Sequence, residues 1–283
     1  MSLESVAFSA QNSPEARDYL SESLSGPQTI APLPRVCAQL AELTAQQMPD
    51  GAQLARLVQS DPALAGEIMR VANSPALRPR SAIVSLQQAV SWLGVAEVRN
   101  IAMAVMLRGE VFKAPGHEPE CEELWREAWL AGLWAKEIAR ERRKHVESAF
   151  LAALMHRTGA ALALNVLSRF ELQRGSALDA STFGGLVVEF EPAFGRLLMT
   201  SWLLPKDVQD AASDWRSYPA TSRDELAGTV NAAHLLATHT MHPELLDEAL
   251  VIESPVFERL GVFPDDRRRM LAKRDHVLAL AGF

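Results

Sequence analysis

Apolar residues recur every three to four positions along most of this chain, the spacing that gathers them on one face of a helix. Pro, Gly, Asn and Ser cut the pattern into segments. Residues 1–33 mix Ser, Gln, Pro and Gly and read as an irregular entry, with room for a short helix from Glu15 to Ser23 that Ser13 caps and Pro14 opens. Val36, Leu40 and Leu43 then share a face. Asp50 precedes a helix carrying Leu54, Leu57 and Val58. Asp61-Pro62 opens the next: the carboxylate caps free amides, and proline has no amide to lose. Leu64, Ile68 and Val71 form its buried stripe. Asn73-Ser74-Pro75 ends it, because the residue before proline avoids the α region. Ser85-Leu86-Gln87-Gln88 is a capping-box pattern. Gly94 suits a left-handed helix end, and Val98, Ile101, Ala102, Val105 and Met106 mark a further helix.

Gly109 to Glu120, with Pro115, Gly116 and Pro119, reads as a link between a lobe at 34–112 and another at 121–283. In the second, Trp125, Trp129 and Leu133 share a face, as do Phe150, Leu151 and Leu154. Phe183 to Pro192 and Pro205 read as punctuation. Leu226 to Thr240 is a helix stopped by Pro243, and Arg267 to Phe283 a final amphipathic helix. No segment alternates like a strand. The fold class is therefore all-α, with two packed helical lobes.

Composition adds exclusions. A formal charge of −7 argues against gripping nucleic acid, and the basic runs Arg140–Lys144 and Arg267–Arg269 lack interleaved aromatics, so they read as solvated helix faces. No stretch of about 20 uncharged apolar residues predicts a membrane span, and the N-terminus lacks the basic start of a secretory signal. A cytoplasmic protein with no membrane partner is the expectation. Cys37 and Cys121 are far apart and read as two reduced thiols.

One combination is specific. Leu33-Pro34, Val58-Gln59-Ser60-Asp61-Pro62-Ala63-Leu64, Arg70-Val71-Ala72-Asn73-Ser74, Ile83 to Val90, Leu93-Gly94 and Val98 to Ala102 follow one another in an order and spacing that resemble the amino-terminal half of an HDOD domain. The resemblance continues more weakly to about Ala237. It implies a helical fold related to the HD-superfamily phosphohydrolases, the second lobe being the HD-like one. It also implies a role in bacterial signal transduction, usually without demonstrated catalysis. Asp61, Pro62, Asn73, Ser74 and Gly94 are then structural signature residues.

HD hydrolases hold divalent metal with a His, an adjacent His-Asp pair and a later Asp, lone-pair donors that make a bound water acidic enough to attack phosphorus. By resemblance, those positions here are Glu127, His156-Arg157 and His234. Further on-pattern histidines are replaced by Glu191 and by Trp215-Arg216. Arg157 is the decisive departure. A guanidinium stays protonated and has no lone pair. Unit charges about 4 Å apart repel by roughly 4 kcal/mol at an effective dielectric near 20, and a divalent ion doubles that.

Three uses of this degenerate pocket remain open. Arg157 pairs with Glu127 or another acid in a collapsed site; Glu127, His156 and His234 hold one metal ion; or Arg157 and the histidines hold a phosphate-bearing ligand. His234, His239 and His242 read as a helix end rather than a metal trio. No catalytic residue, metal or cofactor is expected, and the implied partners are other signalling proteins, met at a groove between the lobes. The competing functions are a metal-dependent phosphohydrolase or phosphodiesterase and a nucleotide-sensing module.

Overall fold

A computed structural model describes residues 13–26, 51–79, 81–218 and 224–282; the expected helix at Val36 to Leu43, the Asp50 cap and Cys37 lie outside them. Among the described residues there are helices and no strand.

The first helix, α1 (Pro14–Ser25), forms where the sequence places it, although the Ser13 side chain makes no cap bond. It packs Ala16 and Leu20 into the core of the larger helical group. Then come α2 (Gly51–Gln59), α3 (Pro62–Ala72), α4 (Leu86–Leu93) and α5 (Val95–Glu110). They share a small core of Leu54, Val58, Leu64, Ile68, Val71, Val90, Val98 and Ile101. Asp61 Oδ1 accepts from the amides of Ala63 and Leu64 at 2.9 and 3.1 Å, the cap the sequence predicts. Asn73 does more than stop α3. It exchanges bonds with Ile83, donating to its carbonyl at 2.9 Å and accepting from its amide at 2.8 Å, and so ties the end of α3 to the approach to α4. Ser85 Oγ accepts from the Gln88 amide at 3.2 Å, but the Gln88 side chain accepts from Val84 rather than Ser85, so only half of the predicted capping box forms. Gly94 has φ +80° and ψ 161°, a glycine region but not the left-handed helical one. It joins α4 to α5 through a 110° bend.

Residues 111–117 connect the two groups without hanging free. Val111, Phe112 and Ala114 are buried in the larger core, and the carbonyls of Lys113 and Pro115 accept from Asn165 and Ser168. The larger group contains α6 (Glu118–Glu141), α7 (Val146–Met155), α8 (Thr158–Arg174), α9 (Ala180–Ser201), α10 (Lys206–Asp214), α11 (Glu225–Met241), α12 (Glu248–Glu253), α13 (Pro255–Arg259), α14 (Pro264–Leu271) and α15 (Arg274–Ala281).

Three expectations change here. Pro192 does not punctuate: α9 runs through it from Ala180 to Ser201. An interior proline removes one helical bond and costs about 3 kcal/mol in isolation. Burial of Phe190, Phe194, Leu198 and Met199 against the core offsets that. The final helix is two, broken at Ala272-Lys273 so that α15 can turn back. There Ser74 Oγ donates to the Ala279 carbonyl at 3.0 Å, and Arg70 reaches the carbonyls of Leu280 and Ala281. Finally, the basic runs are not wholly solvated. Arg142 donates to the Leu260 carbonyl and pairs with Glu225, while buried Arg267 donates to Val262 and Ile252. Residues 146–174 contain an 18-residue apolar window that is 89% buried, and the stretch is broken in the middle by His156-Arg157.

Candidate functional site

The site is assembled from five places in the larger group. On α6, Glu120, Glu123 and Glu127 recur at spacings of three and four and so share a face. His156-Arg157 forms the break between α7 and α8. Arg157 sits at φ −103° and ψ 0°, a sparsely occupied backbone region, and Thr158 Oγ1 closes the turn onto the Met155 carbonyl at 2.7 Å. Glu191 comes from α9, directly before Pro192. Trp215-Arg216 follows α10 in a single 3₁₀ turn, held by Asn231 Nδ2 donating to the Trp215 carbonyl at 3.0 Å. His234 comes from α11.

All seven candidate residues meet. The Arg157 guanidinium bridges two carboxylates, with Nη1 2.6 Å from Glu191 Oε1 and Nε 3.3 Å from Glu127 Oε2. Arg216 takes the other Glu191 oxygen at 2.8 Å and stacks its guanidinium 4.3 Å over the Trp215 ring. Trp215 lies 4.3 Å from the His234 ring and 5.1 Å, edge to face, from His156. His234 Nδ1 lies 2.5 Å from Glu127 Oε1, close but off the ideal hydrogen-bond line, and 3.3 Å from His156 Nε2.

Protonation follows from this packing. Burial pushes the His156 imidazole down to about 4, against the pull of Glu127 and with the positive charges of His234 and Arg157 adding to it. His156 is thus neutral at pH 7; its Nδ1 donates to the Ala153 carbonyl, which leaves the Nε2 lone pair facing His234. Burial would raise the Glu127 carboxyl, but the charges of Arg157 and His234 outweigh it and hold the group well below the usual carboxylate range.

Glu127, His156 and His234 each offer a ligand atom, all within 4.8 Å of one another. A hydrolase-type two-metal centre does not fit them. Three ligand atoms serve at most one ion, the guanidinium of Arg157 already holds the second oxygen of Glu127, and His234 Nδ1 already lies 2.5 Å from Glu127 Oε1.

The pocket is not collapsed. A cavity of about 790 Å³ opens onto Glu127, Arg157 and His234. Its walls bring in residues that sequence reasoning missed, His117, Glu120, Glu123, Glu171 and Phe183, and His242, read there as part of a helix end. The spacing of the three α6 glutamates was a usable signal. Nothing in the sequence ties His117 to Glu171, 2.8 Å away, or to the Phe183 ring stacked 4.5 Å from it. The cavity lies within the larger helical group, whereas the sequence reading placed the main groove between the lobes. A smaller hollow of about 510 Å³, lined by Arg108, Phe112 and Arg169, lies beside the connecting segment. The histidines of α11 separate, with His239 Nδ1 on the Leu246 carbonyl at 2.8 Å and His242 paired to Glu123. Asp61, Pro62, Asn73, Ser74 and Gly94 all belong to the smaller group and its junction with α15.

Solved structures share this architecture. A protein of Shewanella amazonensis with the provisional description metal-dependent phosphohydrolase superposes with a TM-score of 0.70 at 20% identity, over 93% of this chain and 99% of that one. An HDOD domain protein of unknown function from Geobacter sulfurreducens gives 0.68 at 18% identity, over 94% and 98%. A protein of Marinobacter aquaeolei provisionally described as a signal transduction protein gives 0.64 at 22%, over all of this chain and 68% of that one. Identities this low establish the fold alone. No curated protein matches in sequence. The HDOD domain profile, however, matches residues 30–216, about two thirds of the chain and six of the seven clustered residues, His234 lying beyond it. This chain belongs to the HDOD domain family.

Proposed function

We propose that this protein is a non-catalytic regulatory module of HDOD type that works in signal transduction by binding other proteins. The observation that carries the reading is the neutralisation of Arg157 by Glu127 and Glu191; by resemblance, this arginine stands where a hydrolase of the related superfamily places a metal-binding aspartate. A permanent cation there satisfies the two buried carboxylates that an ion would otherwise have to share. Among the described residues, Glu127, His156 and His234 form the one cluster of three or more metal-ligating side chains, and it is the one Arg157 abuts.

The phosphate-bearing ligand considered from sequence finds less support. Two carboxylates engage Arg157, and the cavity beside it is lined by Glu120, Glu123, Glu127, Glu171 and Glu244. The test is direct. The protein is incubated with Mn²⁺ or Fe²⁺, desalted, analysed for metal and assayed against bis(p-nitrophenyl) phosphate and nucleotides. The expected result is substoichiometric metal and no turnover above buffer. Stoichiometric metal with turnover abolished by His156→Ala would establish a hydrolase instead.

A further inference from the structure

We infer that the cavity above Glu127 is a binding site for an organic cation, an ammonium or guanidinium carried on an alkyl stem. This deepens the regulatory reading and rests on it, by naming the chemistry that the site receives.

The cavity, at about 790 Å³, has the size of a small-ligand pocket. Five glutamates line it against one arginine, and that arginine is committed to Glu127 and Glu191. The charges are distributed in depth. Glu127 lies at the floor, beside Arg157 and His234, with its side chain 14% exposed. Glu171 lies in the wall, its side chain only 12% exposed, while Glu120, Glu123 and Glu244 stand at the mouth with 45 to 66% exposure. Only histidines offset them there: His117 beside Glu171 and Glu120, and His242 between Glu123 and Glu244. Glu120 and Glu171 share the single ring of His117, and Glu123 and Glu244 that of His242, so the carboxylates outnumber the histidines two to one. Between floor and mouth the wall is apolar, with Leu124, Leu178, Phe183, Met241 and Leu245.

An anion would meet this negative field with no free guanidinium to receive it. A purely apolar ligand would strip water from the exposed carboxylates at the mouth and return no charge to them. A cation on an alkyl stem satisfies both parts: its methylenes cover the apolar wall and its charged ends reach glutamates at either end of the cavity. The chemistry is common to a free polyamine and to a lysine or arginine side chain of a protein partner.

Isothermal titration of the full chain in about 150 mM salt, where long-range charge attraction is largely screened, separates these cases. The probes are spermidine, a blocked pentapeptide bearing one lysine and one arginine, and pyrophosphate. One-to-one binding of spermidine is expected if the source is a free polyamine, and of the peptide alone if it is a partner's side chain. Either should weaken roughly tenfold in the Glu123→Gln, Glu244→Gln double variant, whose changes sit at the exposed mouth and spare the buried cluster. A Glu15→Gln, Asp265→Asn variant, with the same change in net charge far from the cavity, should bind as the parent does. No saturable binding of either cation, equal weakening in both variants, or binding of pyrophosphate in their place would overturn the inference. Those outcomes leave the regulatory reading intact, whereas metal-dependent turnover would sink that reading whatever the titrations show.

Discussion

Arg157 concentrates the chemistry of the molecule into one side chain. It is 3% exposed, and its guanidinium faces two carboxylates from different helices. Removing one partner of a buried ionic set leaves charge without compensation, at a cost of about 3–5 kcal/mol. Arg157→Ala should therefore lower unfolding stability by that order in urea titration, and Arg157→Lys should recover only part, because a lysine cannot span both acids in a planar fork. His156 makes a second prediction. Its folded pKa, about 4, lies below the ordinary 6.5, so its contribution to stability is complete above pH 6.5 and is lost as pH falls toward 4. The shift corresponds to about 3 kcal/mol. Glu127, held below the carboxylate range, adds a loss of the same sign at lower pH. Unfolding followed from pH 7 to 4 should show this acid sensitivity, and His156→Gln should flatten its upper part. His242 runs the opposite way. Burial lowers it, but Glu123 and Glu244 hold it above 6.5, so its ion pairs stabilise below that pH and fade as pH rises through the elevated value. An imidazole titration by NMR should place His242 above free histidine, and Glu123→Gln should bring it down.

Between elements, one crossing sets the position of Glu191. At Gly159 on α8, an added Cβ would stand 1.9 Å from the Glu191 carbonyl and 2.7 Å from the Gly195 amide, both backbone atoms that cannot swing aside. At Gly195 on the facing helix, the nearest atoms to such a Cβ are 3.7 Å away, ordinary contact. The two glycines look alike in sequence and differ in consequence. Gly159→Ala should cost several kcal/mol, beyond the usual range for a point change, and should displace Glu191 from Arg157. Gly195→Ala should cost little, and the pair can be compared by thermal unfolding. The Asp61 cap supplies a milder case in the smaller group. Asp61→Ala should destabilise by about 1 kcal/mol while leaving the larger cavity unaffected.

At the scale of the whole molecule, the chain closes on itself. Its last helix, α15, crosses back to the smaller group, where Ser74, Arg70 and the carbonyls of 279–281 meet, and Lys136 on α6 pairs with Glu97 on α5 in a nearly dry contact. The connecting segment is clamped by Asn165 and Ser168 besides. Deleting residues 274–282 should therefore loosen α3, far away in sequence. Faster amide exchange in residues 62–72 of the truncated protein would show it, and unchanged exchange would refute the coupling.

Much of this was present in the residues alone. Helical periodicity gave the all-α class, because burying one face of a helix needs only local spacing. Asp61-Pro62 and Asn73-Ser74-Pro75 marked α3 because capping and proline sterics act within a few residues. The charge of Arg157 could be read at once, since a guanidinium is a cation in any fold. Pro192 was misread because the local rule against interior proline yields when a long helix buries enough apolar surface. The meeting of Arg157 with Glu127, Glu191 and Arg216, the close backbone approach at Gly159 and the acidic cavity all join residues tens of positions apart. Only tertiary packing could decide those, because charges act through distance in space and a sequence records only distance along the chain.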